Sequence, residues 1–124
     1  MKGLLLDTHI LLWWLADHPR LSGQFRERIA DPDLPCFVSA ATIWEIGIKR
    51  AIGKLDAPDE LIGIIGEEGF HGLPMELVHA EAASRLPLHH HDPFDRMLIA
   101  QARVESLTLA TVDKRFSDYD LELL

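Results

Sequence analysis

The stretch "DPFDRMLIAQARVESLTLATVD" (92–113) decides the fold. Asp92 followed by Pro93 is a strong helix start: a side chain that caps open N–H groups, then a residue suited to the first helical position. An apolar pattern of helical period continues to Ser106. "LTLAT" (107–111) then breaks that period and predicts a short buried strand. Asp113 stands two residues beyond it. A helix that feeds a short apolar strand ending near an acid is a repeating unit of parallel α/β sheets.

The same grammar recurs outward from this stretch. "GLLLD" (3–7) predicts a buried strand, and "THILLWWLAD" (8–17) a helix after it. "CFVS" (36–39) predicts a second strand, and "SAATIWEIGIKRAIGKL" a helix ended by Gly53. Ser22 opens a helix that runs through Ala30, and "DPDLP" is a loop. "PDELIGIIGEEG" (58–69) predicts a helix with proline at its start and glycine at its end. "FHGLPM" is a short extended piece, "ELVHAEAASRL" is helical, and "YDLELL" is expected to close the sheet at its edge. Strands alternating with helices predict an α/β three-layer sandwich, a short and mainly parallel sheet with helices on both faces.

The 124 residues fit one domain spanning 1–124. Apolar residues at 48% and charged residues at 26% match an ordinary globular chain. The apolar run near the start is broken by Asp7 and His9 and is too short to span a bilayer, so no membrane association is expected. Cys36 is the only cysteine, cannot form an internal disulfide, and suits a reducing cytoplasm. Twenty acids against 12 bases give a net charge of -8. That argues against a surface that coats nucleic acid, but not against an enzyme that meets phosphates through a metal.

Ligands of open parallel sheets bind beyond the carboxyl ends of the strands. Asp7 directly follows the first strand, Asp113 follows "LAT", and Glu45 lies in the helix leaving "CFVS". Asp95 lies in the first turn of its own helix and is able to point the same way. Hard divalent cations take carboxylate oxygens and keep waters for a phosphate substrate. They also activate water and neutralise charge on a phosphodiester. Each acid has a plainer reading. Asp92 is first a cap. Asp95 suits the helix dipole as well as a metal. Glu45 and Lys49 form an i,i+4 ion pair, and Asp113 caps the turn "DKRF". Asp7 is the hardest to explain away, since a partly buried carboxylate needs partners. If the acids share one metal, Asp7 and Asp113 are expected to report their mutual repulsion more cleanly than Asp95, which also serves the dipole.

The three histidines 89–91 precede the cap and read as loop residues, since adjacent positions do not share a face at metal-ligand spacing. His9, His18, His71 and His79 are scattered and read as structural. Trp13 and Trp14 are adjacent in a helix and cannot face the same way. One is expected in the core, the other in an apolar patch that a partner segment covers.

"LLLDTHILLWWLAD", "SAATIWEIGIKRAIGKL", "HHDPFDRMLIAQA" and "LATVDKRF", in this order, resemble the signature segments of PIN-domain ribonucleases, in particular the VapC toxins of prokaryotic toxin–antitoxin modules. The resemblance runs from Gly3 to the C-terminus. It implies a PIN-like fold and a metal-dependent endoribonuclease with Asp7, Glu45, Asp95 and Asp113 around Mg²⁺, with Mn²⁺ as a substitute. Thr111 fits the hydroxyl that accompanies the last acid, and Asp92 and Arg96 fit supporting positions around the ligands. RNA, a cognate antitoxin and a homodimer partner are implied with it. A receiver-like domain with Asp7 in an acidic pocket lacks the acid pair of its first loop and a lysine after a late strand. A non-catalytic interaction module would leave the acids as caps and ion pairs.

Overall fold

The computed structural model describes residues 3–89 and 92–124. His90 and His91, two of the three expected loop histidines, lie outside the described residues. The elements are β1 (Leu4–Leu6), α1 (Thr8–Leu15), α2 (Gly23–Ala30), β2 (Cys36–Ser39), α3 (Ala40–Ala51), α4 (Leu61–Glu67), β3 (His71–Leu73), α5 (Leu77–Ser84), α6 (Pro93–Glu105), β4 (Thr108–Ala110) and a 3-10 turn (Lys114–Asp118). The four strands form one sheet in the order β3-β2-β1-β4, and every pairing is parallel. The chain steps outward from β1 to β3, then returns through α5 and α6 to place β4 on the other side of β1. The strand order therefore turns back between β1 and β4, where parallel sheets open a crevice at their carboxyl ends.

The strand sequence explains the three layers. Successive strand residues face opposite sides. Leu4 and Leu6 join Ile10, Leu11, Phe25, Ile29, Val38 and Ile46 on one side of the sheet. Leu5 joins Leu98, Ile99, Leu109 and Phe116 on the other. All three leucines of β1 are fully buried, as the central strand of a sheet covered on both faces requires. The α/β sandwich expected from the sequence is the fold observed.

Some boundaries differ from the sequence expectation, each for a local reason. α1 stops at Leu15 instead of Asp17: His18 N–H donates to the Trp13 carbonyl at 2.8 Å, and Asp17 takes a left-handed φ of 49°. α4 starts at Leu61, after Pro58, because Arg50 holds the preceding loop. Its guanidinium donates to the Pro58 carbonyl at 2.8 Å and pairs with Asp59 at 3.3 Å. "YDLELL" reaches the sheet edge only as an isolated bridge, Leu109 to Leu123. α3 ends where expected, with Gly53 at φ 73° just past Ile52. Trp13 and Trp14 do not divide into core and surface. Both are half-buried against the first cluster. Trp13 stacks on His18 under Arg20, and Trp14 donates to Glu68 at 3.0 Å beside Phe70.

Gly3 sets the entry to β1. Leu4 N–H donates to the Pro35 carbonyl at 2.9 Å, so the two strands meet closely there. A Cβ on Gly3 would lie 2.6 Å from that carbonyl oxygen, at a φ of 149°. Gly3→Ala is expected to lower stability by roughly 1–3 kcal/mol. Thermal melting measures this, and an unchanged melting temperature would contradict the packing described.

Candidate metal centre

Asp7 is both the first residue after β1 and the N-cap of α1. Its Oδ1 accepts from Ile10 N–H at 2.8 Å, and its own N–H donates to the Ala110 carbonyl at 3.1 Å. Only 5% of it is exposed. Burial pushes its carboxyl above the usual carboxylate range. Hydrogen bonds from Thr111 and Ile10 and the charge of His9 oppose that rise, and the charge of Asp113 adds to it. Thr111 in turn accepts the Asp113 N–H at 3.0 Å through its hydroxyl oxygen. That hydroxyl thus ties the acid after β1 to the acid after β4.

Glu45 points inward from α3 and is 4% exposed. Thr8 Oγ1 donates to its Oε1 at 2.5 Å, and Lys49 Nζ reaches its Oε2 at 2.5 Å. The i,i+4 ion pair read from the sequence is therefore present, but it faces the cluster. The lysine is held protonated first by its hydrogen bond to Glu45, and further by the charges of Glu45, Asp92 and Asp95. Thr8 was not singled out in the sequence; its place as the first residue of α1, beside Asp7, was the available signal.

Asp92 caps α6, accepting from Phe94 and Asp95 N–H at 2.8 and 3.1 Å. Asp95 follows in the first turn, half-buried. Burial first, and then the charges of Asp92, Glu45, Asp7 and Asp113 in that order, together raise its carboxyl to about 7. Acids from four separate segments thus lie close enough to act on one another. Asp113 is also a cap, accepting from Arg115 N–H at 2.9 Å, and it pairs with the Arg115 guanidinium at 2.8 Å. The fields of Asp95 and Asp92 reach that arginine as well. Arg96 turns elsewhere and donates to the carbonyls of Ala83, Leu86 and Pro87 at 2.9–3.0 Å. It fastens the start of α6 to the end of α5.

Ser39 and Gln101 hold α3 against α6. Ser39 Oγ donates to Gln101 Oε1 at 2.6 Å while accepting from Ala41 N–H at 3.0 Å. Gln101 Nε2 donates to the Pro74 carbonyl at 3.2 Å. Both side chains are fully buried, and they fix the helix carrying Glu45 relative to the helix carrying Asp95. Nothing in the one-dimensional sequence pairs a serine with a glutamine 62 places on.

Among the described residues, one group brings three potential ligand atoms within 4.8 Å of one another: Glu76, His79 and Glu105. Its hydrogen bonds exclude a metal at the ring. His79 Nδ1 accepts the Glu76 N–H at 3.1 Å, so the ring proton sits on Nε2, which faces Glu105 at 2.8 Å. No lone pair remains there for a cation. The four acids near Asp7 are more open than this trio, and Asp7, Glu45 and Asp113 are each drawn to donors of their own. Their donor set is nonetheless carboxylate oxygen alone, which suits a hard divalent cation. The field that lifts Asp95 is the field a cation would neutralise.

Asp95 is not itself a cap, and its charge is disfavoured first by burial and then by the neighbouring acids. Asp7 and Asp113 hold α1 and the 3-10 turn as caps, so removing their charge also weakens a cap. Asp95 has a folded-state carboxyl near 7, above the unfolded value of about 3.9. Stability from its neutral form is full below about pH 4 and is lost as pH rises through 7. Relative to wild type in EDTA, Asp95→Asn is therefore expected to gain stability progressively between these limits and hold the gain above pH 7. Melting curves over pH 4–8 decide it; a difference that does not grow with pH would contradict the raised Asp95 carboxyl.

A family model described as the PIN domain matches residues 4–122. Ribonuclease VapC22 of Mycobacterium tuberculosis is 25% identical over 122 residues, covering 96% of this chain and 93% of that protein. The structure of VapBC2 from Rickettsia felis, bound to a DNA fragment from its promoter, superposes with a TM-score of 0.73 at 18% identity, covering 98% of this chain and 96% of that one. A toxin–antitoxin complex from Klebsiella pneumoniae gives 0.67 at 18% identity, with coverage of 98% and 96%. The shared fold and the match across nearly the whole length lead to one conclusion: the chain belongs to the PIN domain family.

Proposed function

We propose that this chain, as a single PIN domain over residues 1–124, is a metal-dependent endoribonuclease and the toxin of a toxin–antitoxin module. The observation that carries the reading is the convergence of Asp7, Glu45, Asp95 and Asp113 at the carboxyl end of the sheet, where their charges act on one another. Burial and, after it, the charges of Asp92, Glu45, Asp7 and Asp113 push the Asp95 carboxyl up to about 7. Mg²⁺, or Mn²⁺ in its place, would be held by these four acids. When bound, such a cation activates water and neutralises charge developing on a phosphodiester.

The chain's own groups have distinct roles in this reading. Thr8, Thr111 and the Ile10 N–H hold carboxylates in place through hydrogen bonds. Asp92 fixes the first turn that carries Asp95. Lys49 and Arg115 bring positive charge to the edge of the cluster, each paired with one of its carboxylates, Glu45 and Asp113. The similarity to ribonuclease VapC22 supports RNA as substrate, and the likeness to a toxin–antitoxin complex supports an antitoxin partner; assembly as a homodimer belongs to the same reading. No described helix is long and apolar enough to cross a membrane, and the lone thiol at Cys36 is compatible with a cytoplasmic protein.

The test is cleavage of a mixture of cellular RNAs. Activity is expected with Mg²⁺ or Mn²⁺ and none with EDTA. Asp7→Asn and Asp95→Asn should each lower it roughly a hundredfold or more while keeping a cooperative melt. Metal should raise the wild-type melting temperature by mass action, and raise that of the variants less. EDTA-resistant cleavage, or full activity in a folded Asp7→Asn protein, would refute the site.

A further inference from the structure

We propose that Trp44, backed by Phe94, is a stacking platform that seats one RNA base beside the four-acid site. The inference rests on the nuclease reading and adds to it a contact with the base instead of the phosphate.

Trp44 immediately precedes Glu45 on α3, and Phe94 immediately precedes Asp95 on α6. Two helices that each carry an acid of the site therefore each bring an aromatic residue next to it. The rings meet edge to face, with centroids 5.3 Å apart and planes at 81°. Such contacts hold a ring in a defined orientation. Yet 59% of Trp44 remains exposed. It is the only aromatic among the large exposed apolar side chains of the described residues. The core has no use for it: α3 buries Ala41, Thr42, Glu45 and Ile46 instead. A fixed, exposed indole is costly to leave in water unless something covers it.

The surroundings identify what covers it. Lys49 lies one turn beyond Trp44 and stands in the fields of Glu45, Asp92 and Asp95. Arg115 stands across the site, on Asp113. Single-stranded nucleic acid binds where cations track the backbone and an aromatic ring takes a base. This chain has a net charge of -8, so it lacks a general basic surface. A cation pair and an exposed indole at one rim are then the matching features for a strand entering the site. Ile48 and Ile52 continue the exposed face of α3, which makes a second copy of the chain the competing occupant.

The experiment uses the uncleaving Asp95→Asn chain with Mg²⁺ and a fluorescent, random-sequence single-stranded RNA of about 12 nucleotides, within the span of such sites. Trp44→Ala is expected to weaken binding by about fivefold or more. Trp44→Tyr should restore it, and Trp44→Leu should not. An abasic strand of the same length should bind more weakly and no longer distinguish Trp44→Ala from its parent. Size-exclusion chromatography should give one elution position for all of these proteins. Unchanged binding by Trp44→Ala, rescue by Trp44→Leu, or a shift in oligomeric state on truncation would overturn the platform; the last two would assign Trp44 to a protein interface. If the wild-type chain neither cuts nor binds RNA, the nuclease reading falls, and the platform with it. Wild-type cleavage with indifference to Trp44 overturns the platform alone.

Discussion

One main-chain hydrogen bond, from Asp7 N–H to the Ala110 carbonyl, joins the carboxyl ends of β1 and β4. The two strands lie at opposite ends of the chain, yet they run side by side in register, Leu6 opposite Ala110. That register places the residues after each strand in contact. Asp7 meets the Thr111 hydroxyl, and Thr111 meets the Asp113 N–H. A slip of one residue would pull Gly3 or Asp7 into a place now held by a fully buried leucine, so the ends of the three-leucine run enforce the register. The core thereby fixes the site without contributing an atom to it.

The acids divide by how far the fold depends on them. Asp7 starts α1, Asp113 starts the 3-10 turn, and Asp92 starts α6. Glu45 joins α3 to α1 through Thr8. These carboxylates are oriented by hydrogen bonds that the protein needs in order to fold, so their directions are set before any ligand arrives. Asp95 is the exception among the four: it starts no element, and its charge is disfavoured by burial and by the acids around it. Fold and site share residues here, which is why a cap and a candidate ligand could not be told apart from their spacing alone.

The sheet was legible in the sequence because its strands are short apolar runs bounded by acids, glycine or proline, and its helices carry ordinary start signals. The candidate acids were legible for the same reason: Asp7, Asp113 and Asp95 stand at element boundaries, where sequence patterns are most explicit. What was not legible depends on contacts between distant segments. Arg50 holds the loop at Pro58 and delays α4. Ser39 meets Gln101, and Thr8 meets Glu45, only once the sheet has formed. Arg96 follows Asp95 directly, yet its guanidinium turns to the carbonyls of Ala83, Leu86 and Pro87, which the turn closing α5 presents together. The resemblance implied a supporting place for Arg96 around the ligands, and these bonds fasten the first turn of the helix that carries Asp95.

Charge is the remaining point of tension, since 20 acids face 12 bases and the proposed substrate is a polyanion. The local arrangement eases it. Lys49 and Arg115 each lie on a carboxylate of the cluster, Glu45 and Asp113. In that pairing their charge is largely neutralised within the site, and a phosphate would meet little net attraction. A divalent cation among the acids changes the balance, because it satisfies the same carboxylates that hold the two bases. With a cation held by these acids, the Coulomb attraction of Lys49 to Glu45 would fall, and its ammonium would be less compensated. Arg115, exposed and with a planar fork that matches phosphate as well as carboxylate, would be freed in the same way. Metal and RNA would thus favour each other's binding through the two bases they contest, with no movement of the backbone required.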